Sequence, residues 1–121
     1  MHPLDPYVDK QIQRVLENNR FVEEATHIVK LCQLENLSSI IDFGCWTGVL
    51  GLEIFKQWPE LEKYHLIDAV PYYLDKAKTM LKEFPITSQT VTLIPSNHKG
   101  NMPKSMLIKD RKSTRLNSSH T

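Results

Sequence analysis

Apolar positions along this chain follow two rhythms, and they alternate. Val8, Ile12, Val15 and Leu16 fall three and four residues apart, on one face of a helix that Asp5 caps and Pro6 opens. Asn18-Asn19 interrupts that pattern. Val22, Ala25, Ile28, Val29 and Cys32 then form the stripe of a second helix, closed near Asn36. At Ser39 the rhythm changes. Ser39 to Phe43 is a short, nearly continuous apolar run and predicts a buried strand. Val49 to Trp58 returns to helical spacing through Leu52, Ile54 and Phe55, and Pro59 stops it. Tyr64 to Asp68 predicts a second strand. Pro71 opens a further helix carrying Leu74, Ala77, Lys78 and Leu81, which ends at Phe84-Pro85. Val91 to Pro95 predicts a third strand, residues 97 to 103 a polar loop, and Ser105 to Lys109 the start of a fourth strand.

Strand, helix, strand, helix, strand implies right-handed crossovers and a parallel sheet. The fold class is therefore α/β, a parallel sheet between helical layers in a three-layer α-β-α arrangement, preceded by N-terminal helices. Those helices pack beside the sheet as a lid, an edge cover or plain scaffolding. Residues 1–37 form this helical unit and residues 38–109 a partial α/β domain.

The tail changes the picture. Asp110 to His120 has no periodicity and reads in order as the translation of a common sequencing adapter. Residues 110–121 are accordingly set aside as non-native, and the natural protein is expected to continue past Lys109 after about the third strand. Without the tail the chain's formal charge moves from +1 to −1, so no polyanion-binding surface is indicated and there is no sign of a nucleic-acid partner. No apolar run reaches the roughly eighteen residues that cross a membrane, and the N-terminus lacks a secretion signal. Cys32 and Cys45 have no metal or redox spacing and fit a reduced, cytoplasmic protein.

The chemistry concentrates at two strand ends. Ile40-Ile41-Asp42 runs into Phe43-Gly44-Cys45-Trp46-Thr47-Gly48, a strand breaking into a tight turn whose backbone can approach a ligand. Asp68 ends the next strand roughly twenty residues past that loop, the offset of a carboxylate that binds ribose hydroxyls. Both features point to a cofactor bearing a nucleoside.

Residues 40 to about 103 resemble the cofactor half of class I, Rossmann-like methyltransferases that use S-adenosyl-L-methionine. The family's first motif, an acid, any residue, then Gly-x-Gly-x-Gly, stands here as Asp42-Phe43-Gly44-Cys45-Trp46-Thr47-Gly48. Trp46 replaces the middle glycine, which a loop with negative φ at that position accommodates. Its indole is expected to pack rather than to touch the cofactor. The resemblance implies that Asp42 orients the cofactor's amino group, often through water, and that Asp68 accepts from both ribose hydroxyls. It places Ala69 and Val70 along one adenine face and Asn97 at the adenine edge. Helix capping is the competing role for Asp42 and Asp68, and a plain turn for Asn97. His65 and His98 read as core-edge and solvent-facing residues, and no metal site is indicated.

The resemblance leaves the methyl-acceptor substrate and the catalytic residues beyond Lys109. A nicotinamide or flavin oxidoreductase is the first rival, but its Gly-x-Gly-x-x-Gly pattern aligns on residues 46 to 51 without its first glycine. The second rival is a methyltransferase-like binding module without activity.

Overall fold

The computed structural model describes residues 1–92 and the short strand at 114–116. Helices α1 (Asp5–Glu17) and α2 (Val22–Leu34) come first. Strand β1 (Ser39–Phe43), helix α3 (Val49–Gln57), strand β2 (Lys63–Asp68), helix α4 (Pro71–Met80) and strand β3 (Ile86–Thr90) follow, and β4 (Thr114–Leu116) completes the sheet.

Both N-terminal helices stop by the same device. Asn19 and Asn36 take left-handed φ of 52° and 57°. The next amides turn back onto the last turn, Arg20 to the Val15 carbonyl at 3.1 Å and Leu37 to that of Cys32 at 2.8 Å. Asparagine tolerates this conformation, and each reversal satisfies carbonyls the helix end would leave bare. Asp5 does not cap α1. Leu4 holds the cap position without a side-chain bond, and Asp5 begins the helix. Its carboxylate is claimed instead by the Tyr72 hydroxyl at 2.6 Å and the His2 amide at 3.1 Å.

The four described strands are parallel, in the order β3-β2-β1-β4. β1 and β2 pair from Ser39 with Lys63 to Phe43 with Ile67. Alternation then sorts the side chains. Ile40, Tyr64 and Leu66 face one way and enter the main core with Ala25, Ile28, Val29 and Cys32 of α2, Leu50, Ile54 and Phe55 of α3, Leu74 and Ala77 of α4, and Leu81 at its C-terminal end. Ile41, Phe43 and Ile67 form a smaller cluster on the opposite face, with Val91 against it. Of the three layers expected, the sheet and one helical layer lie among the described residues.

One strand differs from the sequence expectation. The third described strand is Ile86–Thr90, ahead of the expected Val91 to Pro95, of which residues 93 to 95 lie outside the described residues. Its only apolar residue is the first, and the rest is exposed, so hydrophobic patterning does not mark it. Its position is set by the helix end: Tyr64 donates to the Pro85 carbonyl at 3.0 Å and the ladder starts there. Val91 extends the pairing, its amide donating to the Asp68 carbonyl at 3.1 Å. The expected fourth strand at 105–109 lies outside the described residues. The strand beside β1 is Thr114–Leu116, inside the segment set aside as non-native, in register from Ile40 with Thr114 to Asp42 with Leu116. That slot asks only for a short extended run with free backbone groups.

Candidate functional site at the ends of the central strands

Two loops meet where β1 and β2 end. β1 leads to α3 and β2 on one side and is flanked by β4 on the other, so the strand order reverses at β1. In open parallel sheets such a reversal leaves a crevice at the carboxyl ends of the strands, where ligands bind. The glycine-containing loop sits there.

The loop is built from three left-handed residues: Gly44 at φ 79°, Trp46 at 52° and Gly48 at 84°. The amides of Gly44 and Cys45 both reach the Ile67 carbonyl, at 2.7 and 3.0 Å, so the β1–β2 ladder holds the loop's first residues. Gly48 donates to the Cys45 carbonyl at 3.0 Å, closing the turn into α3. A Cβ on Gly48 would lie 3.0 Å from the Ala77 Cβ and 3.2 Å from its Cα. Gly48 thus brings α3 against α4.

Trp46 departs from expectation. Its φ is positive, a conformation that costs an L-residue about 1–2 kcal/mol. Two contacts hold it there. Its amide donates to Asp68 Oδ2 at 3.0 Å. Its half-buried indole packs against the cluster of Val8, Ile12 and Val49 and meets the Tyr73 ring edge-on at 6.3 Å between centroids. The indole packs on that cluster, and the backbone differs from the expected negative φ.

Asp68 is half-buried at the end of β2. Oδ2 takes the Trp46 amide and Oδ1 the Val70 amide at 2.9 Å, an Asx-type turn into α4. Two fixed donors set the carboxylate's plane and tie the two strand-end loops together. Ala69 is half-buried and Val70 is 41% exposed beside it.

Asp42 is fully buried on the helix-covered face and caps no helix. Its Oδ2 accepts the Tyr64 hydroxyl at 2.7 Å. Burial, then the adjacent Asp42 carboxylate, raises the Tyr64 phenol well above its ordinary range, so Tyr64 stays a donor. Cys45 is 3% exposed, and burial, with Asp42 and Asp68 nearby, pushes its thiol far up. It serves as a small neutral filler and not as a nucleophile. Thr47 is also fully buried, and its hydroxyl has no hydrogen-bond partner among the described residues. Asn97 and His98 lie outside those residues. His65 bonds Thr87 on the sheet face away from the helices.

Sequence reasoning missed three things here. Tyr64 was read only as a strand residue, yet the one hydroxyl on that strand pairs with the one acid on β1. The buried Thr47 hydroxyl carried no signal. The clamp of α1 on α4, with Tyr72 on Asp5 and Lys76 within 3.3 Å of Asp5, joins residues 67 or more apart in sequence. A groove of about 740 Å³ lies between those helices, walled by Asp5, Asp9, Ile12, Tyr72, Lys76 and Met80. None of the expected cofactor residues lines it. Among the described residues, no three His, Cys, Asp or Glu side chains gather as a metal site.

The architecture has solved counterparts. The methyltransferase domain of bacterial CtHen1-C superposes with a TM-score of 0.51 over 64% of this chain, at 20% identity. The plantazolicin methyltransferase BpumL, in complex with SAH, superposes with a TM-score of 0.54 over 79%, at 21% identity. The fold is that of the class I methyltransferases. The chain spans 44% and 38% of the length of these two structures. No family model and no curated protein matches the sequence. In class I methyltransferase terms, β1, its loop and the end of β2 are the strand-end elements described above, and α1 and α2 precede them.

Proposed function

We propose that this chain is the cofactor-binding half of an S-adenosylmethionine-dependent methyltransferase. The observation that carries the reading is Asp68. A carboxylate ends β2, oriented by two amides, directly beside a left-handed loop at the end of the neighbouring parallel strand. Each of its oxygens keeps lone-pair capacity beyond the one amide it receives, enough for a ribose diol.

The residues present fit the group. Thr47 supplies a buried hydroxyl in the loop that lacks a described partner. Half-buried Ala69 and exposed Val70 follow Asp68 at the same strand end. In this reading Asp68 holds the ribose, Ala69 and Val70 lie along the adenine, and Asn97 meets its edge. Gly44, Cys45, Trp46 and Gly48 shape the backbone around the amino-acid end. Asp42 orients the amino group, its carboxylate fixed by Tyr64. The bound cofactor supplies an electrophilic methyl on a sulfonium; this chain's part is to bind and aim it. BpumL was solved with SAH, which supports the same cofactor class here.

The acceptor, and the residues that select it, belong in this reading to the rest of a longer parent protein. Residues 110–121 are not native to it, the fragment alone does not transfer methyl groups, and the parent works in the cytoplasm. No described helix is long and apolar enough to cross a membrane.

The test is calorimetric titration of the full-length protein with S-adenosylhomocysteine and, in parallel, NAD. Saturable binding of the first alone is expected. Binding of NAD alone would move the site to the oxidoreductase reading. Binding of S-adenosylhomocysteine with no methyl transfer to any acceptor class would leave a binding module.

A further inference from the structure

We propose that Trp46 is a positioning residue that couples the docking of α1 to the geometry of the cofactor loop. The inference rests on the cofactor reading above for its functional meaning, and on geometry for its mechanism.

A glycine in this slot could adopt φ 52° without cost and would reach beyond the loop only through its amide on Asp68. Tryptophan does neither. Its backbone sits in the left-handed region at a cost, so something outside the residue must hold it. Two groups do. On one side its amide is anchored on Asp68 Oδ2 at 3.0 Å, the carboxylate assigned to the ribose. On the other side its indole is packed against the cluster that contains Val8 and Ile12 of α1. α1 is in turn pinned to α4 through Tyr72 and Lys76 on Asp5, at 2.6 and 3.3 Å. A mechanical line therefore runs from α1 through the indole to the residue-46 amide and on to Asp68. Loosening α1 releases the indole. The left-handed backbone then relaxes, and the amide that orients Asp68 is lost. With glycine at position 46 the line is cut, and α1 no longer reaches the loop.

The experiment is a double-mutant cycle in the full-length protein, pairing Val8→Ala with Trp46→Gly. The first readout needs no ligand: hydrogen exchange of the residue-46 amide, with the Leu66 amide on β2 as reference for general loosening. Val8→Ala is expected to speed exchange at residue 46 roughly fivefold or more when Trp46 is present, and to leave it unchanged when residue 46 is glycine. The second readout is the Kd for S-adenosylhomocysteine. Val8→Ala is expected to raise it roughly fivefold or more with Trp46, and by under about twofold with glycine. Equal effects in both backgrounds, or none with Trp46, overturn the coupling. Ile12→Val reads the same contact should Val8→Ala fail to fold. Intact exchange coupling in a protein that binds no S-adenosylhomocysteine would sink the cofactor reading and leave the coupling standing.

Discussion

Gly48→Ala isolates what the last glycine of the loop contributes, and its cost can be worked from contacts. The residue sits at φ 84°, so any Cβ pays about 1–2 kcal/mol of left-handed strain. The added methyl would also stand 3.0 Å from the Ala77 Cβ, 3.2 Å from its Cα and 3.3 Å from Leu81 Cδ1. Two of these belong to α4 itself, which cannot step aside without moving the helix, and overpacking of this kind costs about 1–3 kcal/mol. The total is roughly 2–5 kcal/mol. A second substitution separates the parts. Ala77→Gly removes the Cβ that is struck, at about 1 kcal/mol of helix propensity. In the Gly48→Ala background it should relieve part of the clash, giving a favourable coupling of about 1–2 kcal/mol, while the strain remains. Urea denaturation of the two single variants and the double variant measures all three numbers. A Gly48→Ala cost below about 1 kcal/mol, or an Ala77→Gly effect identical in both backgrounds, would refute the close-approach argument.

The remaining predictions address the site and its supports. Asp68→Ala should weaken S-adenosylhomocysteine binding by about 2–3 kcal/mol, the worth of charge-assisted bonds, as read by calorimetry; unchanged affinity removes Asp68 from the ribose. Tyr64→Phe takes away the donor on buried Asp42 and should destabilise the protein by about 1–3 kcal/mol in denaturant titration, whereas a neutral result would mean that Asp42 does not depend on it. Asp5 is held below its ordinary 3.8, chiefly by the Tyr72 hydroxyl, so its contribution is complete above that pH and is lost as pH falls through the lower folded value. The stability difference between wild type and Asp5→Asn should therefore close on acidification below 3.8; a gap that persists at lower pH contradicts the clamp. Residues 1–109 made alone would leave β1 without the neighbour it has in β4, and are expected to associate on size-exclusion chromatography. A monomeric, cooperatively melting 1–109 fragment speaks against that edge argument.

Legibility in the sequence followed burial. β1 was readable to the residue because Ile40 and Ile41 are buried on opposite faces and the run is continuous. The end of β2 at Asp68 was readable because an acid closes a short apolar run there. β3 was not, because its residues beyond Ile86 are exposed and a register set by backbone bonds leaves no hydrophobic trace. The left-handed backbone of Trp46 was hidden for a different reason. Glycine in that slot advertises positive φ, whereas tryptophan argues against it locally and is overruled by packing on the cluster of Val8, Ile12 and Val49 and by the bond to Asp68, which no local pattern encodes. The Asp42–Tyr64 bond lay one step away: both residues were in view, and only the parallel register of β1 on β2 puts them together.

That register also explains why the loop and the core cannot be tuned separately. Phe43 pairs with Ile67, and the carbonyl of Ile67 then takes the amides of both Gly44 and Cys45. One residue later the side chain of Asp68 takes the amide of Trp46. The end of β2 thus dictates three successive loop amides from its backbone and its terminal acid. Asp42 and Tyr64 lock the same two strands from the buried side. A substitution that shifts β1 against β2 by one residue would turn every one of these groups to the wrong face at once. Stability of the β1–β2 pair and shape of the strand-end loop are therefore one property. Residues outside the sheet that pack on the loop, as the cluster of Val8, Ile12 and Val49 does on Trp46, are the route by which its shape can change without first breaking the strand pair.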